Sequence, residues 1–245
     1  MKDYDAATYG DLMAEVYDEW FGVPEDTNDT VAFLEGLAGT GPVLELGVGT
    51  GRVALPLAER GVEVHGIDAS EAMVGKLRSK QGRSDVSVSI GDFAEADIEG
   101  RFSLAYVVFN TFFALPSQED QVRCFANVAR GLREGGAFVI EAFVPDLGRF
   151  TAGQTTQTKH VGMDHVILET SRHDPVLQRV YSQNIEMGAT EARFYPVQIR
   201  YAWPSELDLM ARLAKLRLRE RWGGWRREPF ADSSVKHVSV YEHQR

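Results

Sequence analysis

Apolar residues along this chain fall into two rhythms. Short apolar runs at Pro42–Leu46, Val62–Ile67, Val86–Ile90, Ser103–Phe109 and Ala137–Ala142 alternate with Arg52–Arg60, Glu71–Ser79 and Asp120–Leu132, whose apolar residues recur at helical spacing. Strand–helix–strand repetition at this pitch predicts a parallel sheet with helices on both faces. Gly135-Gly136 supplies the turn into the fifth run. After about residue 150 the rhythm changes: Val161–Thr170, Gln178–Met187 and Ala192–Trp203 are strand-like, punctuated by His173-Asp174-Pro175 and Gly188. These read as an antiparallel meander. Ser205 then stands as the N-cap of a helix with acidic residues in its first turn, and Leu216–Trp222 and Ser234–Tyr241 close the chain as strands. The expectation is one α/β domain interrupted late by an antiparallel β insertion. Ahead of the first strand, Tyr9 to Trp20 reads as a helix with Val16 and Trp20 on one face. Tyr9 and Tyr17 would lie within about 80° of each other around its axis. That helix either packs on the sheet or covers the site.

Composition narrows the class. The chain has 245 residues, of which 44% are hydrophobic and 25% charged. A chain this long buries roughly 70–75% of its unfolded surface, so no metal or disulfide staple is required. The single cysteine, Cys124, lies among apolar residues of a helix and reads as an inert buried thiol. The acidic start Met1-Lys-Asp-Tyr-Asp lacks an apolar run and no stretch is long enough to span a membrane, which gives a cytoplasmic expectation. A net charge of −10 argues against a nucleic-acid surface. The basic cluster Arg212 to Arg227 reads as the solvated face of a helix and an amphipathic strand.

The chemistry concentrates in Val43-Leu-Glu-Leu-Gly-Val-Gly-Thr-Gly51. Glycines directly between a strand and a helix bring a ligand against bare backbone at a helix N-terminus. Gly49-Thr-Gly51-Arg-Val-Ala54 also satisfies the dinucleotide string, so NAD competes. Against it, Gly47 already makes the strand-ending turn two residues earlier. Asp68, closing Val64-His-Gly-Ile-Asp68, suits the ribose hydroxyls of either ligand. Gly91-Asp92-Phe93 then follows the third strand, where a carboxylate and an aromatic can bind adenine, and Phe109-Asn110-Thr111-Phe112-Phe113 ends the fourth.

The set Glu-x-Gly-x-Gly-x-Gly, Gly-Ile-Asp-Ala-Ser, Gly-Asp-Phe and Arg-Gly-Leu-Arg-Glu-Gly-Gly resembles the class I, Rossmann-like S-adenosylmethionine-dependent methyltransferases, in the expected order over roughly residues 1 to 145. The resemblance implies a seven-stranded sheet with an antiparallel last strand and S-adenosyl-L-methionine as donor with S-adenosyl-L-homocysteine as product; no metal is expected, because no pair of histidines has ligand spacing. It implies that Gly47, Gly49 and Gly51 pass under the methionine part with Glu45 supporting the loop. Asp68 would hold the ribose, Ala69 and Met73 would flank the adenine, Asp92 and Phe93 would read its amine and edge, and Asn110 would sit beside the sulfonium. The late insertion and the Tyr-x-x-x-Tyr-Asp type of N-terminal helix are similar to amino-sugar and lincosamide-antibiotic N-methyltransferases. The resulting division is a helical lid at 1–35, a donor-binding core at 36–149 and 205–245, and an insertion at 150–204 that covers the acceptor or contacts a second copy.

Transfer to a neutral amine needs alignment and exclusion of water, not a metal or a covalent intermediate. Tyr9, Tyr17, Phe112 and Phe113 are the candidates for the acceptor side, through ring faces and phenol oxygens; core packing competes for the phenylalanines. An alcohol acceptor would call for a base, for which His160, His165 and His173 in the insertion are the candidates. His65, within a strand, and His243, near the end, read as structural or solvent-facing. Glu141 faces either the acceptor pocket or solvent. The expected partner is a small-molecule methyl acceptor, with no nucleic acid and no membrane. A homo-oligomer through the insertion's edge strands stays open, because edges are also blunted in monomers. The remaining readings are an O-methyltransferase, an NAD-dependent oxidoreductase, and a donor-binding protein without catalysis.

Overall fold

The computed structural model describes residues 1, 3–22, 24–80, 86–98 and 102–244. Val43–Leu46 (β1) is buried along its length, as parallel neighbours on both sides require. It pairs in parallel with Val64–Asp68 (β2) and Phe102–Val107 (β4). Beyond them, Val86–Ile90 (β3) pairs with β2, and Leu132–Phe143 (β5) with β4. Lys236–His243 (β11) runs antiparallel between β5 and Leu216–Trp222 (β10), giving the order β10-β11-β5-β4-β1-β2-β3. The seven-stranded α/β sheet expected from the resemblance is therefore present.

Strand β4 shows how the sheet holds two cores. Ala105 and Val107 point into a cluster with Phe112, Phe125 and Phe138, roofed by Gln118–Gly131 (α6) and Pro204–Leu213 (α7). Leu104 and Tyr106 point the other way, into a cluster with Val31, Leu34 and Leu57 from Thr27–Ala38 (α3) and Ala54–Glu59 (α4). Period-2 alternation between two apolar faces reads in the sequence as one unbroken apolar run. Glu71–Lys80 (α5) adds Leu77 to the second cluster.

The second sheet has four antiparallel strands, Gln154–Val161 (β6), His165–Asp174 (β7), Arg179–Gly188 (β8) and Ala192–Arg200 (β9). The three-strand meander is corrected: Val161 ends β6, so the strand expected at Val161–Thr170 straddles a hairpin turn. Strand β6 is a mostly exposed edge rich in Thr and Gln, with no apolar alternation to announce it. Buried Arg200 moors the end of β9, donating to Gln121 Oε1 on α6 (2.5 Å) and to Glu206 Oε1 on α7 (2.7 Å).

Two further expectations change. Ser205 is not a cap: extended Trp203 precedes α7, and Pro204 takes the first helical position, where its missing N–H costs nothing. The N-terminal segment is not one helix but two, Thr8–Met13 (α1) and Tyr17–Phe21 (α2), separated at Ala14–Val16. A continuous helix would separate Tyr9 and Tyr17 by about 12 Å along its axis. The break brings their rings edge to face at 6.5 Å between centroids. Among the described residues no helix is long and apolar enough to cross a membrane.

Candidate active site

The glycine turn begins where β1 ends. Gly47 and Val48 both donate to the Ile67 carbonyl, at 2.8 and 3.1 Å, which bends the chain off the strand. Gly47, Gly49 and Gly51 have φ of 70°, 53° and 83°, a region side chains resist. Their surroundings differ. A Cβ on Gly47 would come within 2.4 Å of Thr111 Cγ2, and one on Gly51 within 2.9 Å of Leu55 and Leu77, whereas the first atom met from Gly49 is the Gly47 carbonyl oxygen at 4.0 Å. Gly47 and Gly49 border a cavity of about 1340 Å³; Gly51 packs beneath the turn.

Asp68 ties two loops together. One carboxylate oxygen accepts from the Gly49 amide at 2.7 Å and the other from the Ser70 amide at 2.9 Å. Burial raises its pKa against the lowering effect of these bonds. Below the turn, Glu45 is buried and accepts from the Tyr106 hydroxyl at 2.9 Å; desolvation pushes its carboxyl up to about 8. Glu45 and Gly51 do not border the cavity, whereas Ala69, Met73, Asp92, Phe93 and Asn110 do, as does Asp68. Asp92 is fixed by an Asx turn, accepting from the Ala94 amide at 2.8 Å.

The wall after β4 is built by a residue distant in sequence. Phe109 and Asn110 both sit at positive φ, 54° and 66°, costly for non-glycine residues. Glu141 holds them: its side chain accepts from the Phe109 amide at 2.8 Å and its carbonyl from the Asn110 amide at 3.3 Å. Lys236 donates to the other Glu141 oxygen at 3.1 Å and to Asp26 at 2.6 Å. Buried Glu141 thus faces neither acceptor pocket nor solvent. Asn110 completes the turn by accepting from the Phe143 amide at 2.7 Å.

The two short N-terminal helices are sewn onto these loops. Ser70 donates to Asp11 at 2.6 Å, Thr50 to Asp18 at 2.7 Å, and Lys80 pairs with Asp18 at 2.5 Å. Arg52 donates to the Tyr17 hydroxyl at 3.2 Å. Tyr9 and Tyr17 both border the cavity, and burial raises both phenols above their ordinary pKa. The expectation for Phe112 and Phe113 is corrected. Both are fully buried in the first core cluster, meeting Phe125 and Phe143 respectively, and neither borders the cavity. A 3-10 turn over Thr111–Ala114 points their rings inward and leaves Thr111 and Ala114 at the cavity wall.

The second sheet also lines the cavity, through residues such as Ile167, Glu169, Ser182, Asn184 and Val197 that carry no motif. Their signal is only the strand alternation of one inward face. His160 and His165, stacked at 4.9 Å, border the cavity at the hairpin turn, while His173 is bonded to the Tyr201 hydroxyl at 2.9 Å. Among the described residues no group of three or more His, Cys, Asp or Glu side chains is placed to hold a metal.

Known proteins resemble this chain in sequence and in fold. Residues 43–136 match a methyltransferase domain model. The chain is 30% identical to the cypemycin N-terminal methyltransferase of a Streptomyces species, over 98% of this chain and 99% of that protein. It superposes on the CcbJ methyltransferase of Streptomyces caelestis with a TM-score of 0.94 at 43% identity, covering 99% of this chain and 100% of that one. The sugar N-methyltransferase KedS8 of a Streptoalloteichus species shares the fold, with a TM-score of 0.68 at 19% identity over 100% and 99% of the two chains. The oxidoreductase reading of the glycine string falls with these matches: the chain belongs to the S-adenosylmethionine-dependent methyltransferases.

Proposed function

We propose that the protein methylates an amine nitrogen on a small natural-product or metabolite acceptor, by direct in-line transfer. The observation that carries the reading is a single cavity bordered by Gly47, Gly49 and Asp68 of the glycine turn and second strand, by Tyr9 and Tyr17, and by residues of the second sheet. Ligand sites run about 300–1,000 Å³, so about 1340 Å³ accommodates a donor and an acceptor together.

The residues present fit the donor. Bare backbone at Gly49 leaves open space where a Cβ would stand, Asp68 keeps lone pairs free beyond its two amide bonds, and Asp92 with Phe93 offers an acceptor and an apolar ring edge. When bound, the donor supplies a methyl group on sulfonium: the acceptor lone pair forms the N–C bond as the C–S bond breaks, and the amine proton leaves to solvent.

The chain's part is to align and to exclude water. Tyr9 and Tyr17, held neutral by burial, present ring faces to a cation and hydroxyls to an amine. Acidic side chains Asp5, Glu19, Asp146, Glu169 and Asp232 border the cavity against Arg149 and Lys159, a balance that attracts a cationic donor and an amine. A peptide N-terminus is the second reading, supported by the full-length similarity to the cypemycin enzyme. Antibiotic biosynthesis and a cytoplasmic location belong to the proposal, as does the division into lid, core and insertion.

The test is a screen for labelled methyl transfer to metabolite amines, alcohols and short peptides with free N-termini, run beside calorimetry with S-adenosylhomocysteine. Transfer to an amine, reduced at least about tenfold by Tyr17→Phe, is expected. Transfer to an alcohol alone, with a histidine from the insertion required, would replace the amine reading. Absence of product binding would remove the donor site.

A further inference from the structure

Arg52 directly follows the last glycine of the turn, but it does not border the cavity. Its guanidinium carbon lies 3.5 Å from the centroid of the Phe109 ring, and one terminal nitrogen donates to the Tyr17 hydroxyl at 3.2 Å. Its Nε is buried with no hydrogen-bond partner among the described residues, so the plane is held by stacking and one bond. The stacking partner is itself fixed, since Phe109 is held at φ 54° by the Glu141 carboxylate.

A guanidinium has donors and no acceptor. Tyr17 therefore accepts from Arg52, and its own proton must turn away from the guanidinium. The backbone of the five-residue helix α2 has a separate anchor, Asp18, bonded to Thr50 and Lys80. The helix anchor at Asp18 is thus independent of Arg52, whereas the tether on the Tyr17 oxygen comes from Arg52.

We propose that Arg52 is a positioning residue for methyl transfer: backed by the Phe109 ring, it fixes the Tyr17 hydroxyl and so couples the glycine turn to the acceptor side of the cavity. The inference rests on the reading that Tyr17 adjoins the acceptor. It assigns to Arg52 no contact with donor or acceptor. Lysine cannot substitute, because an ammonium has no plane to stack on Phe109 while donating sideways.

The test uses the full chain labelled with 3-fluorotyrosine and saturated with S-adenosylhomocysteine, the Tyr17 fluorine resonance being identified by Tyr17→Phe. Arg52→Gln and Arg52→Lys should both shift and broaden that resonance, with product affinity within about twofold of the parent. Phe109→Leu, which keeps Arg52 but removes its backing, should move the same resonance. With an amine acceptor from the screen, Arg52→Gln should lower kcat about 10- to 100-fold at unchanged donor KM. It should add no further loss to Tyr17→Phe. An unmoved Tyr17 resonance overturns the proposal. So does a loss of product affinity above about tenfold, which would make Arg52 a donor ligand, or losses that multiply in the double variant. If product binds but no amine is methylated, the amine reading fails by itself, and the resonance still decides whether Arg52 holds Tyr17.

Discussion

Replacing Gly49 by alanine tests whether a ligand passes over the glycine turn, because this position separates contact from folding. At φ 53° an alanine costs about 1–2 kcal/mol relative to glycine. No further steric cost arises, since the first atom its Cβ meets is 4.0 Å away. For a chain of this length each kcal/mol lowers Tm by about 2–4 °C, so the free protein should melt about 2–8 °C lower. The same methyl would stand where the ligand is expected to lie against backbone. Calorimetry with S-adenosylhomocysteine should then show an affinity loss of about 30- to 100-fold, or 2–3 kcal/mol. Gly47→Ala is the contrast: the 2.4 Å approach to Thr111 forces the turn apart, so melting and binding should fail together. Wild-type affinity in Gly49→Ala would falsify the placement of the donor over this turn. A fall in Tm beyond about 10 °C would instead refute the open space beside it.

Other outcomes follow from groups behind the site. Glu45 keeps its proton to about pH 8 in the folded chain against an ordinary value of 4.5, so the unfolded chain releases that proton first and stability falls as pH rises between these values. Glu45→Gln should flatten this part of the chemical-denaturation profile, by an amount on the order of a few kcal/mol at pH 8; an unchanged slope would show that Glu45 is ionised in the fold. Phe112→Ala should cost about 3–5 kcal/mol of stability through a core cavity while the folded fraction binds product normally. Selective loss of turnover at undiminished stability would return Phe112 to the acceptor side. Burial pushes the Cys124 thiol well above its ordinary range, so an aromatic disulfide reagent should label it only on unfolding. Rapid labelling of the native protein at neutral pH would contradict that burial.

Much of the site was legible because its signals are local. Gly47, Gly49 and Asp68 stand at strand ends, where a run of apolar residues stops and the next residues must turn, and such boundaries are written within a few positions of one another. The acceptor side was less legible. Phe112 and Phe113 sit in the same short turn as Asn110 and Thr111, and nothing in their order says which side chains face the core. Strand β6 escaped because an edge with one solvated face needs no apolar periodicity.

The sequence by itself determined the strand–helix alternation, the glycine turn and the acidic residue closing the second strand, since each depends on backbone freedom and burial over a few neighbouring residues. Tertiary structure alone decided that Glu141, 32 positions from Phe109, holds the strained wall of the cavity. It also decided that Arg52, 35 positions from Tyr17, reaches its hydroxyl. The physical reason is that these hydrogen bonds join segments whose separation in the chain carries no periodic or compositional trace. They exist only once the sheet has brought the ends of β1, β4 and β5 side by side and the N-terminal helices have closed over them.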